Sequence, residues 1–163
     1  MIMRTLLLLT TLLLTACGFH LRGQAGMPFD TLYLDAANPG TSFIAELRRN
    51  LEANKVRLVH SAKEADVVLN IVFEIPEKQI LTLGGSGRVN EFQLRYRISL
   101  RAYDLKGQDW IPAEEVMLRR DYVYDDTKVL AKEAEETLLY QSMRSDMVQQ
   151  IVRRLSRAKP QPQ

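Results

Sequence analysis

The nucleophiles, acids and potential metal ligands of this chain do not form a catalytic grouping. Ser86 lies in a Gly-Gly-Ser-Gly run, but no helix follows the glycines and no histidine is placed to activate the hydroxyl. Neither a nucleophile elbow nor a P-loop is therefore predicted. His20 and His60 are far apart and have no ligand spacing around them, and Asp125 and Asp126 are more typical of a helix cap than of a cation site. The sequence predicts a protein that is not an enzyme and that holds no metal and no cofactor.

Basic side chains are better suited to binding chemistry, and they fall into two groups. The first group lies beside the glycine run and at the start of the last predicted helix; it comprises Arg88, Lys128 and Lys132. These side chains would converge on an anion if the glycine tip folds toward that helix start. The second group lies on one face of the predicted sheet and comprises Arg95, Arg97, Arg101 and Arg119. Guanidinium groups bind phosphates well, but a solvated outer face with acidic counterparts such as Glu74 and Asp121 is an equal alternative.

The net charge gives no support to nucleic-acid binding. The chain carries 22 Lys and Arg residues against 20 Asp and Glu residues, a formal net charge of +2. Nucleic-acid-binding domains usually carry a clear basic excess. Any anionic partner must therefore be bound through the arrangement of the charges and not through their sum.

Cys17, the one cysteine of the chain, closes a hydrophobic leader. Arg4 precedes an apolar block over residues 6–14, and the run LTAC at 14–17 matches the bacterial lipobox. The block is too short for a membrane-spanning helix, which needs about 20 apolar residues. A plain secretory leader would leave an unpaired thiol in an oxidising compartment. The sequence therefore predicts a lipoprotein signal peptide over residues 1–16.

The cleaved leader implies a lipid anchor at Cys17, made of an S-linked diacylglycerol and an N-linked acyl chain. Such an anchor exceeds the two lipid signals that stable attachment requires. Gly18 stands where inner-membrane lipoproteins commonly carry Asp. We therefore predict a protein anchored in the outer membrane on its periplasmic side.

The remaining chain is long enough for one domain with a core. We predict a lipid-anchored tether over residues 17–29, an α+β domain over 30–156 and a disordered tail over 157–163. Alternating apolar residues predict strands at 31–35, 56–59, 67–83, 90–104 and 113–124. Helical spacing predicts a helix capped by Ser42 and a long helix from Asp125 or Asp126 to about Ser156.

The predicted fold is a mixed sheet of four or five strands with two helices packed on one face, which leaves the other face open. On the third predicted strand, Pro76 indicates a bulge or an unpaired edge. On the same strand, Phe73 and Ile75 are expected to share one face with Val67, Leu69 and Ile71, and Val68, Asn70, Val72 and Glu74 are expected to share the other. The apolar stripe of the long helix that is expected to be buried comprises Leu130, Ala134, Leu138, Val148, Val152 and Leu155. That helix would be longer than the sheet, so one of its ends is expected to project or to contact a partner.

Several stretches of the chain resemble the LptE family of LPS-assembly lipoproteins. They are CGFHLRG at 17–23, directly after the lipobox, EFQL at 91–94, VLAKE at 129–133 and IVRRL at 151–155. The resemblance covers the whole mature chain in element order. It implies a sheet carrying two helices, seated in the LptD β-barrel, which it plugs and whose assembly it assists.

The resemblance also implies that the protein binds lipopolysaccharide for insertion into the outer leaflet. Family members contact the lipid A phosphates through basic residues near a hairpin tip and at the start of the last helix. Lys132 matches the helix position, and Arg88 is the candidate at the tip. A lipoprotein that activates a periplasmic cell-wall enzyme is the alternative, and a lipid-anchored hydrolase would require a Ser-His-Asp or metal grouping.

Overall fold

The fold is known from a computed structural model, which describes residues 26–161. The predicted signal peptide, Cys17 and the first part of the predicted tether lie outside the described residues. The helices and strands are β1 (Thr31–Ala36), α1 (Ser42–Ala53), β2 (Arg57–Val59), β3 (Val67–Leu83), β4 (Val89–Tyr103), β5 (Asp109–Val123) and α2 (Val129–Leu155). Short 3-10 turns at Ala62–Glu64 and Asp126–Lys128 precede β3 and α2.

The five strands form one mixed sheet in the order β2-β1-β3-β4-β5. The central β1 is parallel to both of its neighbours, whereas β3, β4 and β5 are antiparallel. Both helices contribute to a single core with the apolar face of the sheet. The predicted α+β fold, with two helices on one face of a mixed sheet, is confirmed.

Regular alternation on β4 builds most of the core between the sheet and the helices. Leu94, Ile98 and Leu100 of this strand are fully buried, because side chains two residues apart point to the same face. On α1, Phe43, Ile44, Leu47 and Leu51 are buried, as their spacing predicts. The helix cap differs from the prediction, since the hydroxyl of Thr41 and not of Ser42 accepts the hydrogen bond from the Ile44 N–H, at 3.2 Å.

A β-bulge at Val72 exchanges the two faces of β3. The register with β4 shifts between residues 71 and 73, and beyond the shift it is Glu74 and Lys78 that lie opposite core residues of β4. Phe73 and Ile75 therefore face the open side of the sheet, and the prediction that they share a face with Ile71 is wrong. The reason is that one extra residue displaces a two-residue alternation by one position.

Beyond this bulge, β3 has only one neighbouring strand. β1 pairs with β3 only as far as Ile71, and the rest of β3 pairs with β4 alone. Pro76 lies in this part of β3, whose edge away from β4 has no partner strand, and the unpaired edge that its missing N–H indicates is thus confirmed. The 17 residues of β3 span about 55 Å. We call the end that carries residues 84–87 the tip end and the end where β1 begins the base end.

The long helix buries its apolar stripe over only half of its length. Val148, Val152 and Leu155 are buried, but Leu130 is 82% exposed and Leu138 is 64% exposed. The prediction that Leu130, Ala134 and Leu138 are buried is wrong, because α1 covers only the C-terminal half of α2. The N-terminal half projects past α1 toward the tip end, as the length of the helix predicts.

At the base end, parts of the predicted tether and of the predicted disordered tail pack against the folded domain. The ring of Phe29, at the end of the predicted tether, meets Trp110 edge-on with centroids 5.7 Å apart. In the predicted disordered tail, Ala158 is buried and the N–H of Gln161 donates to the carbonyl of Asp109 at 2.8 Å. β5 begins at Asp109 and not at residue 113. Asp109 and Trp110, which Gln161 and Phe29 contact, are therefore part of this strand.

Replacing Asp66 with alanine is expected to lower the free energy of unfolding by about 1–3 kcal/mol at pH 7, because partners of its carboxylate lose their acceptor. That carboxylate accepts from the N–H and hydroxyl of Thr31, both at 2.8 Å, and Thr31 is only 4% exposed. These bonds, the side-chain one first, hold the pKa of Asp66 below 3.8.

The sign of the pH dependence follows from this lowered pKa. The stabilisation is present above the unfolded pKa and is lost as the pH falls through the folded one. Urea unfolding of wild type and Asp66→Ala at pH 7 and pH 3 measures this stabilisation, with Glu64→Ala in the neighbouring turn as the control. If Asp66→Ala lost the same free energy of unfolding at both pH values, the stabilisation would not come from the ionised carboxylate.

Candidate functional site

The tip end is built by a tight glycine turn between β3 and β4. The N–H of Gly87 donates to the carbonyl of Gly84 at 2.9 Å, and the N–H of Gly84 donates to the carbonyl of Arg88 at 2.7 Å. Gly87 has φ +76°, a conformation that favours glycine. The turn therefore fixes the backbone on which the Arg88 side chain is mounted.

The tip lies next to the segment that leads into α2. The guanidinium of Arg88 pairs with the carboxylate of Asp126 at 3.1 Å, and the N–H of Tyr124 donates to the carbonyl of Asn90 at 2.8 Å. The glycine tip thus folds toward the start of α2, which is the condition stated for the first basic group, and it brings Arg88 to that helix start. We call Arg88, Lys128 and Lys132 the tip cluster.

Each member of the tip cluster has an acidic partner. Arg88 pairs with Asp126, Lys128 with Asp125 at 3.6 Å, and Lys132 with Glu135 at 2.8 Å. The Arg88 side chain is 73% exposed, whereas that of Lys132 is 19% exposed. Exposed ion pairs contribute about 0–1 kcal/mol, so a phosphate can replace the partners of Arg88 and Lys128 at little cost.

Asp125 caps the 3-10 turn and not α2 itself. Its carboxylate accepts from the hydroxyl of Thr127 at 2.6 Å and from the Thr127 N–H at 3.0 Å. These two bonds hold the pKa of Asp125 below its ordinary value. The N-cap of α2 is Lys128, which makes no side-chain capping bond, so the helix cap predicted at Asp125 or Asp126 is displaced by one short turn.

A partly exposed ion pair lies between the sheet and the N-terminal half of α2. The ammonium of Lys78 pairs with Glu136 at 2.5 Å and lies 4.2 Å from the centre of the Phe92 ring. The hydroxyl of Tyr122 donates to the same carboxylate at 2.6 Å, and burial, followed by this bond, raises the pKa of Tyr122 to about 12. Lys78 could not be singled out from the sequence, because only the bulge at Val72 turns its side chain toward the helix.

On the open face, two of the four arginines are neutralised by carboxylates. Arg97 pairs with Glu115 at 2.6 Å and with Glu77 at 2.9 Å, and Arg101 pairs with Asp109 at 2.7 Å. This agrees with the alternative of a solvated face with acidic counterparts. The counterparts are, however, not Glu74 and Asp121.

The other two arginines form a like-charged pair across neighbouring strands. Arg95 and Arg119 lie directly opposite each other on β4 and β5. Arg95 donates to the side-chain oxygen of Gln93 at 2.8 Å, and within residues 26–161 neither guanidinium has a carboxylate partner. Like charges placed opposite each other repel, so these two arginines remain available to an anionic group.

Catalytic and metal-binding arrangements are lacking in the part of the chain that the structure describes. Between residues 26 and 161, no three His, Cys, Asp or Glu side chains come together in a way that could hold a metal ion. No helix in the same range is both long and apolar enough to cross a membrane. Ser86 lies in the tip turn between two strands, which is not the strand-turn-helix setting of a nucleophile elbow.

A family model described as LptE, lipopolysaccharide-assembly, matches residues 29–155. The chain belongs to the LptE family. It is similar to the LPS-assembly lipoprotein LptE of Pectobacterium atrosepticum, with 30% identity over 93% of this chain and 83% of that protein. The LptE of Yersinia pestis is 32% identical over 93% of this chain and 74% of that protein.

Solved structures of lipoproteins share the LptE fold described above. Lipoprotein B from Nitrosomonas europaea is 38% identical, with a TM-score of 0.74 over 85% of this chain and 90% of that chain. The rare lipoprotein B from Shewanella oneidensis is 26% identical, with a TM-score of 0.68 over 76% of this chain and 91% of that chain.

The LptE assignment confirms several predictions made from the sequence. The family resemblance is correct, and members of this family are not enzymes. The protein is an LptE-type outer-membrane lipoprotein with a role in lipopolysaccharide transport and assembly.

Proposed function

We propose that this LptE protein partners and plugs the LptD β-barrel, assists its assembly, and binds lipopolysaccharide for insertion into the outer leaflet. The observation that carries the proposal is the match of the LptE family over residues 29–155, which is nearly the whole folded domain. Relatives at 30% and 32% identity are LPS-assembly lipoproteins by name. The proposal includes an acyl anchor at Cys17 on the periplasmic side of the outer membrane.

The open face of the sheet supports the role of a plug. Its ion pairs, formed by Arg97 with Glu115 and by Arg101 with Asp109, present charge and hydrogen-bonding groups. The interior of an outer-membrane barrel is polar. A polar face that carries paired charges is compatible with such a lumen, whereas an apolar face would not be.

The placement of the anchor side and the tip cluster at opposite ends of the sheet supports the proposed path of lipopolysaccharide. The chain leaves toward Cys17 from the base end, where Phe29 packs on Trp110, and the tip cluster lies at the opposite end of the sheet. The length of β3, about 55 Å, exceeds the ~30 Å hydrocarbon core of a bilayer. A domain seated in a barrel from an inner-leaflet anchor can therefore carry its tip cluster to the level of the outer leaflet.

Co-purification from native membranes tests the partnership with a barrel. A tagged form of the protein is expected to recover an outer-membrane protein whose electrophoretic mobility changes on heating, as folded barrels do. If no such barrel is recovered, the proposed partnership with LptD is contradicted. Recovery of an inner-membrane cell-wall enzyme in its place would support the alternative activator function.

Reversing two charges of the tip cluster is expected to weaken lipopolysaccharide binding. In the double variant Arg88→Glu, Lys132→Glu, the affinity should fall about tenfold or more, because charge-assisted hydrogen bonds contribute about 1.5–3 kcal/mol each. The loss should be smaller at high salt, since exposed charges are screened. Binding of labelled lipopolysaccharide to the purified protein measures it.

A control with the same change in net charge separates a local site from the overall charge. Arg49 and Arg153 are exposed on the two helices, away from the tip, and the variant Arg49→Glu, Arg153→Glu should keep nearly full affinity. Equal binding by wild type and the tip double variant, with both folded, would remove the tip cluster from the proposal.

A further inference from the structure

Strand β5 leaves the outer edge of the sheet open along most of its length. It stands last in the strand order, and within residues 26–161 it pairs with β4 alone. On its outer side, the N–H of Gln161 bonds to Asp109 at the first residue of the strand. An edge strand presents backbone N–H and C=O groups that can pair with another strand.

Alternate residues of β5 direct their backbone groups to this open edge. The N–H of Tyr124 donates to the carbonyl of Asn90 at 2.8 Å, and the register of β5 with β4 is unbroken over residues 114–123. In an antiparallel ladder, hydrogen-bonded and non-bonded pairs alternate. The even-numbered residues of this stretch therefore bond to β4, and the N–H and C=O groups of the odd-numbered residues 115–123 point outward.

The sequence along this edge is complementary to itself. It reads EEVMLRR over residues 114–120, with two acids and two arginines at equal distances from Met117. If the strand lies antiparallel to a copy of itself with Met117 opposite Met117, Glu115 lies opposite Arg119. In the same register, Glu114 lies opposite Arg120. Opposite charges directly across two strands stabilise a sheet.

The backbone permits this register, and the charges select it. With a two-fold axis at Met117, the outward-pointing odd-numbered residues of both copies face each other and can exchange hydrogen bonds. An axis between two residues would place outward-pointing residues opposite inward-pointing ones. An axis at Leu118 would place Glu115 opposite Asp121, and an axis at Val116 would leave both acids opposite apolar residues.

Arg119 lacks in its own chain the partner that this register would supply. No carboxylate pairs with it among the described residues, and Arg95 lies directly opposite it on β4. Asp121 is the next residue on the same face of β5, but its carboxylate accepts from Gln93 at 2.9 Å. The guanidinium of Arg119 is thus exposed at the edge with only a like charge across the strand.

The other charged residues of the edge can take a second partner. Glu115 accepts from Arg97, yet its side chain is 41% exposed, and a carboxylate has about four acceptor sites. Glu114 and Arg120 each form one ion pair with α2 and are also partly exposed. Pairing through β5 can therefore form new ion pairs without breaking those within either copy.

We propose that the lipoprotein, while it is outside a barrel, pairs with a second copy of this chain through β5 in a dimer whose two-fold axis passes at Met117. The five strands of each copy then form one continuous sheet. Residues 115, 117 and 119 of the two strands exchange about six backbone hydrogen bonds, and the two ion pairs are each formed twice by symmetry. The dimer covers an edge that would otherwise promote aggregation, and it does not depend on the proposed function.

The charge pattern favours a second copy over an unrelated strand. Charged side chains on an edge strand usually prevent pairing, because an incoming strand must present the opposite charge at each position. A copy of residues 114–120 meets this condition at both ends of the segment. An apolar strand would leave Arg119 without a carboxylate, and a uniformly charged strand would repel one half of the edge.

Disulfide trapping in cell envelopes tests the dimer, with the full-length lipoprotein produced in excess. In Met117→Cys, the Cα atoms across the axis should lie about 5.5 Å apart, within the range that a disulfide spans. Oxidation is expected to yield a covalent dimer of the lipoprotein. Asp121→Cys, an exposed position on the same face of the same strand, is the matched control. Its Cα atoms should lie about 26 Å apart, so trapping should not exceed that of wild type, which has Cys17 alone.

The two trapping variants also separate a dimer from random collision. Random collisions would trap both positions to a similar degree, since both are exposed. Equal trapping at the two positions, or no trapping of Met117→Cys above wild type, would overturn the proposal.

Exchanging the charges tests the register in the Met117→Cys background. Adding Arg119→Glu should lower the trapped fraction about fivefold or more, because two attractive pairs become repulsive. Adding Glu115→Arg to that variant should restore trapping, since the pairs are then reversed. Arg49→Glu, an exposed change on α1, should leave trapping unchanged, and thermal unfolding checks that each variant is folded. Undiminished trapping with Arg119→Glu, or no recovery in the folded exchange variant, would overturn the register.

Discussion

Replacing Cys17 with alanine is expected to abolish acylation and to remove the protein from the outer-membrane fraction. The chain contains a single cysteine, so no other thiol can take the diacylglycerol. Stable anchoring requires at least two lipid signals, and the variant would have none. Incorporation of labelled fatty acid and fractionation of the cell envelope measure the two effects.

The matched control keeps the lipobox and changes only a neighbouring small residue. Thr15→Ser should be labelled and located like wild type, because both residues are small. Mass spectrometry of the wild type should show a mature chain that begins at Cys17 and carries three acyl chains. Continued labelling of Cys17→Ala, or its retention in the outer membrane, would show that the anchor lies elsewhere.

Replacing Glu136 with alanine is expected to lower the free energy of unfolding by about 2–4 kcal/mol, because hydrogen bonds to charged groups contribute about 1.5–3 kcal/mol each. The buried residues of α2 begin only at Met143. The preceding half of the helix is held by the bonds of Glu136 to Lys78 and Tyr122, and by the hydroxyl of Tyr140, which donates to the carbonyl of Glu77 at 2.8 Å.

Hydrogen exchange and urea unfolding measure this second effect. Amides of the N-terminal half of α2 should exchange faster in Glu136→Ala, while those of β4 should change less. Glu133→Ala, an exposed position three residues earlier, should stay within about 0.5 kcal/mol of wild type, as surface substitutions usually do. Equal exchange in both variants would show that the ion pair does not hold the helix.

The pH dependence of the Glu136 effect has a definite sign. Burial works to raise the pKa of Glu136, but the hydrogen bonds from Lys78 and Tyr122 outweigh it, and the pKa lies below 4.5. A lowered folded pKa means that the stabilisation is present above the unfolded value and is lost as the pH falls through the folded one. The gap in stability between wild type and Glu136→Ala should therefore narrow between pH 5 and pH 3.

Those parts of the fold that depend on local periodicity could be predicted from the sequence. The alternation of β4 places Leu94, Tyr96 and Ile98 in the core, and the buried face of α1 follows from helical spacing. Both patterns depend on neighbours along the chain. The bulge at Val72 could not be predicted, because nothing in the apolar pattern of β3 marks the extra residue.

The exposed half of α2 shows why amphipathic spacing is not sufficient to predict burial. Leu130 and Leu138 fit the same stripe as Val148, and only the length and register of α1 decide which of them are covered. The partners of the tip cluster were missed for a related reason. Arg88 and Asp126 are 38 residues apart in sequence, and only the hairpin geometry brings them to 3.1 Å.

The candidate binding residues could be named from the sequence, but their pairing could not. Arg97 and Arg119 occupy equivalent positions in the alternation of their strands, yet the first has two carboxylate partners and the second has none among the described residues. Which acid reaches which arginine depends on the register between strands. The register in turn depends on the bulges, which the sequence does not reveal.

Depletion of the protein in growing cells tests whether it acts in lipopolysaccharide transport through the barrel, with surface lipopolysaccharide and the folded state of the barrel measured in the same cells. Surface lipopolysaccharide and folded barrel are expected to fall together on depletion and to return together when the wild-type chain is restored. Normal surface lipopolysaccharide and a normally folded barrel after depletion would contradict that role.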